Sequence, residues 1–323
     1  MANISYQIAR KIVTILRELV AELEAEKRGR PRATRRGRPK RYNDSDILVM
    51  LALASIMGLS LRGLYHRLKN SRLWARLFNL KPANIPHLAT LARRKNDSDL
   101  RRLRDRLYKK TTTNLASGIA AFIDASAIEA DPKLHPNANW GYSSKGMFYG
   151  YQLHLACDLK GAVLFFTVTK ASSKEIAPAK YVLKEAKKIN PKLKYLTGDA
   201  SYDVTALYRY CRKELDAKLI ARINPRRAIT VDNAISLAKG ERKRAFRLTC
   251  SRFGTILLNK RAVVEQVFSQ LKEIIRIDEL PFWVKKLSHA KEHIKWLILA
   301  YNVLLYTNKV HAENLRSIKR LVA

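Results

Sequence analysis

Three acidic residues are placed where they could hold divalent cations. Asp124 closes the apolar run Ile119–Ala120–Ala121–Phe122–Ile123, Asp199 closes Tyr195–Leu196–Thr197–Gly198, and Glu265 sits inside the helical run from Arg261 to Lys272. Hard cations such as Mg²⁺ and Mn²⁺ take oxygen ligands, so carboxylates are the side chains expected around them. Two such ions about 3.5–4 Å apart activate a water or hydroxyl and stabilise the leaving oxygen in phosphodiester cleavage. Carboxylates crowded together without metal repel one another. At least one is then expected to have a raised pKa, and the site to be only half-formed.

Each acid alone also reads as a turn-former, a helix cap or, for Glu265, one half of an i,i+4 pair with Arg261. Glu129, Asp131, Asp158 and Asp203 lie close by in sequence, and Asp203 reads as the start of the next helix. Position decides between them. Asp124 follows a fully apolar run and has the small Ala125 and Ser126 beside it; Asp199 follows the next buried run between Gly198 and Ala200. At about 100° per residue, Arg261, Glu265 and Lys272 fall within roughly 40° of one another around their helix. They border a separate apolar stripe of Val264, Val267, Leu271 and Ile274.

Charge points to the substrate. The chain carries 63 Lys and Arg against 27 Asp and Glu, a net charge of +36. Such a field attracts phosphate polymers. An anionic membrane surface is the plainer alternative, but the longest apolar runs, Ile47–Leu59 and Trp296–Tyr306, fall short of the ~20 residues a spanning helix needs. The first helix carries charges throughout, unlike a signal peptide. Cys157, Cys211 and Cys250 are scattered with no CxxC. This argues against a disulfide framework or a zinc site and fits a reducing cytoplasm.

The 323 residues suffice for two or three domains, and 47% hydrophobic content supports a real core. Residues 1–26 are predicted as a helix with an apolar stripe (Ile8, Ile12, Ile15, Leu16, Leu19, Leu23), docked within the chain in preference to a second copy. Residues 27–42 form a basic linker containing Arg28–Gly29–Arg30–Pro31 and Arg36–Gly37–Arg38–Pro39. These repeats resemble the AT-hook, in which paired Arg side chains enter the minor groove. A solvated linker touching phosphates is the alternative; both make Arg28, Arg30, Arg36 and Arg38 DNA contacts. Residues 43–112 read as short helices with tight turns, resembling a helix-turn-helix domain with Arg93, Arg94 and Lys95 as candidate backbone contacts; a helical dimerisation domain with a solvated basic face is the alternative.

Residues 115–310 read as three strands followed by alternating helix and strand, a mixed sheet covered on both faces. That β-β-β-α-β-α-β-α order is the order of the ribonuclease-H-like fold. The whole chain is therefore expected to be α/β, a ribonuclease-H-like mixed sheet following an N-terminal all-α helix-turn-helix-like domain. The polar stretch before about Lys260 is left without elements, and His289–Asn308 reads as a buried packing helix. His154 reads as a core or sheet-face histidine. Trp140, Tyr142 and Tyr149, near Lys145, could stack on unpaired bases or pack at a sheet edge. Phe282 and Trp283 could wedge into a distorted DNA end.

Five segments carry a family resemblance: Phe122–Ser126, Trp140–Lys145, Tyr149–His154, Leu196–Asp203 and Val264–Lys272. In order and spacing they resemble the DDE transposases of prokaryotic insertion sequences, nearest to the related insertion-sequence families four and five. The resemblance covers about residues 40–310. It implies that Asp124, Asp199 and Glu265 are catalytic and bind two Mg²⁺ or Mn²⁺ ions. It implies further that Arg261, Lys272 and Lys145 contact DNA. The family's signature Tyr-x2-Arg-x3-Glu-x6-Lys is matched at Arg261, Glu265 and Lys272, whereas Leu258 stands at the tyrosine position. A transposase of this kind binds double-stranded DNA, both its terminal inverted repeats and a target. It acts as a homodimer on DNA, in the cytoplasm at the nucleoid. The short stretch between Asp199 and Glu265 leaves no room for a large inserted domain.

Overall fold

The computed structural model describes residues 4–26, 40–143, 146–228 and 230–311. Helix α1 (Tyr6–Ala25) begins where the Ser5 hydroxyl accepts the Ile8 N–H at 3.3 Å. Its stripe of Ile12, Leu16, Leu19 and Leu23 is buried, and the helix packs on α2 (Asp44–Ile56). The in-chain docking expected for this helix is what the structure has. Helix α2 is apolar all round and almost wholly buried, the mark of a central core helix. Gly58 follows it at φ +64, the left-handed conformation that ends a helix at little cost for glycine. Then come α3 (Leu61–Asn70), α4 (Arg72–Leu77), α5 (Leu88–Lys95) and α6 (Ser98–Leu115). No single helix among the described residues is long and apolar enough to cross a membrane.

By contacts, residues up to 115 and from 295 onward form one unit, and 116–294 a second. In the first unit the buried Arg104 is paired with Asp105 at 2.7 Å and lies 5.3 Å from the centre of the Trp296 ring. Asn302 donates to the Thr112 hydroxyl at 2.9 Å. The final helix, here α13 (Leu287–Val310), thus supplies polar as well as apolar groups to that core.

The second unit holds one six-stranded sheet. Strand β1 (Ala120–Glu129) pairs antiparallel with β3 (Gly146–Asp158), which also pairs with β2 (Asn139–Ser143) and β4 (Val163–Lys170). After α7 (Ile176–Ile189), β5 (Tyr195–Gly198) lies parallel to β1. After α8 (Thr205–Glu214), β6 (Lys218–Ala221) lies parallel to β5. The order is β2-β3-β1-β5-β6, with β4 also on β3. This is the mixed α/β, ribonuclease-H-like arrangement expected from the sequence, and it follows a helical N-terminal region along the chain.

Two features depart from the sequence reading. Strand β2 has no counterpart in it, because glycine interrupts the run. Gly141 is required there: a Cβ at this position would lie 2.4 Å from the carbonyl oxygen of Ala171. The polar stretch before Lys260 is helical, containing α9 (Val231–Leu237), α10 (Gly240–Thr249) and α11 (Arg252–Asn259). Helix α10 buries only Ala245, Phe246 and Thr249, against β6 and α8. So narrow a stripe gives little periodic signal when its partners lie far away in sequence. The insertion before Glu265 is this set of short helices within the second unit, with no separate domain.

Candidate active site

The register of β1 on β5 runs Ala120↔Tyr195, Ala121↔Leu196, Phe122↔Thr197. Carried two residues further, the same offset sets Asp124 beside Asp199, where β5 ends. Helix α12 (Ala262–Glu273) packs on β1 and β3, with Val264, Val267, Phe268 and Leu271 buried. That burial fixes the helix's rotation and sets Glu265 at its border, with its side chain 60% exposed. Arg261 joins the two: one guanidinium nitrogen lies 3.2 Å from Oδ2 of Asp124, another 2.7 Å from Oε1 of Glu265. Asp124 and Glu265 therefore stand within the span of a single guanidinium. Asp199 accepts the Ser201 N–H at 2.9 Å and its hydroxyl at 2.6 Å.

The electrostatics follow from this crowding. Burial pushes the Asp124 carboxyl up to about 6, and the negative charges of Asp199 and Glu265 add to the rise. The Ala125 N–H and the Arg261 guanidinium oppose it. One raised carboxyl is expected from the sequence; its largest cause here is burial, and the repulsion of Asp199 and Glu265 is smaller than the opposing effects of the Ala125 N–H and Arg261. The ordinary value is 3.8, so the folded chain holds a proton that the unfolded chain has released between about pH 4 and pH 6. That stabilisation is complete below about pH 4 and lost as pH rises through about 6, about 3 kcal/mol in all. Urea midpoints measured in EDTA from pH 4 to 8 should show Asp124→Asn gaining on the parent protein across this interval. Parallel curves would show that Asp124 does not titrate in this way.

Among the described residues, no three His, Cys, Asp or Glu side chains stand close enough to hold a metal ion as arranged. The donors of the trio are all carboxylate oxygens, the type that hard cations take. Arg261 supplies positive charge in the gap between two of them. The residues thus fit a divalent ion by the chemistry of their donors. The sequence reading assigns Arg261 to phosphate contact and does not foresee this double pairing; the i,i+4 spacing from Glu265 is its only signal.

The loop after Asp199 is held by Asp203, which the sequence offers as a helix start, and by Tyr202, which it does not single out. Asp203 is fully buried and accepts from Arg242 at 3.1 and 2.7 Å and from the Asn224 N–H at 3.0 Å. It ties the helical insertion to the site and does not begin α8 as expected; Val204 occupies that cap without a side-chain bond. Tyr202, also fully buried, packs so tightly that a Cβ on Gly198 would lie 2.7 Å from its ring. Gly198→Ala is expected to cost about 1–3 kcal/mol by overpacking and to displace the neighbouring Asp199. Chemical denaturation reads the first effect; an unchanged midpoint would mean that the ring can move aside.

The other residues that the sequence singles out divide. Arg93 is exposed. Arg94 is not available to DNA: it is buried, ion-paired with Asp44 and bonded to the Tyr42 carbonyl at 3.2 Å. This corrects the expectation for Arg94, whose helix turns it into the core. Lys272 is half-buried on α12. Arg28, Arg30, Arg36, Arg38 and Lys145 lie outside the described residues. His154 is buried and bonded to Thr169 at 3.0 Å, with burial lowering its pKa to about 4. Asp158 accepts from Ser117, Lys160 and Ala162 in the turn between β3 and β4. Leu258 packs against the cluster of Ala120, Ile220 and Leu257, an apolar role that a leucine fills.

The family model for the transposase DDE domain matches residues 116–303. No curated protein matches the chain significantly. Among solved structures, the piggyBac transposase synaptic complex with hairpin DNA is 13% identical with a TM-score of 0.43, covering 99% of this chain and 79% of that one. The Drosophila P element transposase strand transfer complex is 11% identical with a TM-score of 0.27, covering 92% and 86%. Scores this low carry no functional argument.

Proposed function

Since this chain belongs to the transposase DDE domain family, we propose that it cuts the ends of its own element and joins them to new DNA at the Asp124, Asp199 and Glu265 site. The observation that supports this reading most is that Arg261 pairs with both Asp124 and Glu265, while the charge of Asp199 lies near enough to raise the Asp124 pKa. These three acids would hold two Mg²⁺ or Mn²⁺ ions. Such ions, when bound, lower the pKa of water and neutralise charge on the scissile phosphate. The chain's own part is to orient the DNA. Arg261 exchanges its carboxylate partners for a phosphate once those carboxylates are neutralised, and Lys272 steadies a neighbouring one. Arg93, Lys145 and the basic stretch bearing Arg28, Arg30, Arg36 and Arg38 grip the duplex ends. The freed 3′-hydroxyl then attacks a target phosphate at the same site.

On this reading the protein is an insertion-sequence transposase of the family four and five group, working as a homodimer on DNA at the nucleoid. The test is incubation of the full chain with Mg²⁺ and a linear DNA bearing the inverted repeats that flank its gene. Joined products with a plasmid target are expected. Metal-dependent nicks without joining would overturn strand transfer and leave a nuclease of the same fold. No cleavage, with specific binding retained, would mark a non-catalytic DNA-binding derivative.

A further inference from the structure

The ribbon formed by β2 and β3 carries its aromatic side chains outward. Trp140 lies opposite Tyr149 and Tyr142 opposite Met147, so these four share one face. Trp140 is 56%, Tyr142 77% and Met147 62% exposed. The opposite face is committed: Phe148 is buried, Gly141 abuts the Ala171 carbonyl, and Gly150 abuts the Ile128 carbonyl. The ribbon therefore cannot roll its aromatic face inward. Such exposure of large aromatic rings is costly in water unless something covers them.

A second aromatic segment is fastened beside it. His135 Nδ1 hydrogen-bonds the Val284 carbonyl at 2.6 Å, the Tyr149 hydroxyl donates to the His135 carbonyl at 3.1 Å, and Lys285 donates to the Leu134 carbonyl at 2.7 Å. These bonds tie the residues that directly follow Phe282, 70% exposed, and Trp283 to the segment before β2. Along β3, Tyr149 shares its face with Leu155, which lies opposite Asp124. Six residues at ~3.3 Å each put the aromatic face about 20 Å along the strand from the acidic site.

We infer that this face, centred on Trp140 and Tyr142, binds unpaired bases of single-stranded DNA by stacking. Charge selects the occupant. Away from DNA a net charge of +36 disfavours a second copy and draws a polyanion, and flat rings with polar edges suit base faces of any sequence. The inference rests on the DNA-processing reading only for the choice of ligand, and its test does not depend on cleavage.

The experiment uses the full chain and three fluorescein-labelled probes matched in phosphate count: a (dT)12 strand, an abasic strand of the same length and a blunt duplex. The parent protein is expected to bind (dT)12 at least about tenfold more tightly than the abasic strand at physiological salt. Trp140→Ala/Tyr142→Ala should abolish that preference while leaving duplex affinity within about twofold. Trp140→Phe/Tyr142→Phe, which keeps the rings, should restore it. A double alanine variant that still prefers bases, or that weakens all three probes equally, overturns the inference. So does a parent protein whose sedimentation shows a dimer that only the alanine variant lacks, since a second copy would then be the occupant. Loss of metal-dependent nicking would instead strike the proposed activity without touching this comparison.

Discussion

Asp124→Asn is expected to lower metal-dependent nicking of supercoiled DNA by about 10³-fold or more, while the protein stays folded. Removing one preorganised group that stabilises charge in a transition state commonly costs about 10²–10³-fold, and a carboxylate ligand also sets how tightly the ions are held. The amide is nearly the same size, so packing around it changes little. Its neutrality removes the cost of burying a charge, the largest cause of the raised Asp124 pKa. Activity and stability should therefore move in opposite directions at neutral pH. Asp199→Asn and Glu265→Gln should lose activity to a similar extent. A double variant should be scarcely worse than either single one, because residues that act as a unit are not additive. Plasmid nicking with Mg²⁺, set beside a thermal melt in EDTA, makes the comparison. Nicking within about tenfold of the parent in any one variant would remove that residue from the site.

Asp203→Ala is expected to destabilise the second unit by about 3–5 kcal/mol, the usual cost of removing one partner from a buried ion pair. Arg242 would be left with its donors aimed at an empty position, and the Asn224 N–H would lose its acceptor. At about 2–4 °C per kcal/mol for a unit of this size, the midpoint should fall by roughly 10 °C. The loop that carries Asp199 lies four residues away, so nicking should weaken even below the new midpoint. Arg242→Met/Asp203→Leu, which removes both charges, should recover much of the stability without recovering the activity. A melt of Asp203→Ala within about 2 °C of the parent would show that the pair is not what secures the helical insertion.

The sequence is legible where local pattern and burial agree. The apolar runs before Asp124 and Asp199 are central strands, and the Val264, Val267 and Leu271 stripe of α12 is the face that docks. It is silent where the deciding partner is remote. Strand β2 exists because β3 pairs with it and Gly141 lets Ala171 approach. Helix α10 exists because β6 and α8 cover its one narrow apolar stripe. Arg94 reads as a surface cation in a run of three and is buried against Asp44, a residue 50 positions earlier.

The chain's composition and periodicity by themselves determined that it is a basic α/β protein with acids at two strand ends and on one helix, since charge and alternation are written residue by residue. Only the tertiary structure decided the neighbours of these acids. Strands β1 and β5 run side by side in parallel, α12 packs on β1, and Arg261 pairs with both Asp124 and Glu265. Register and packing depend on contacts between residues far apart in the chain, which no local pattern encodes.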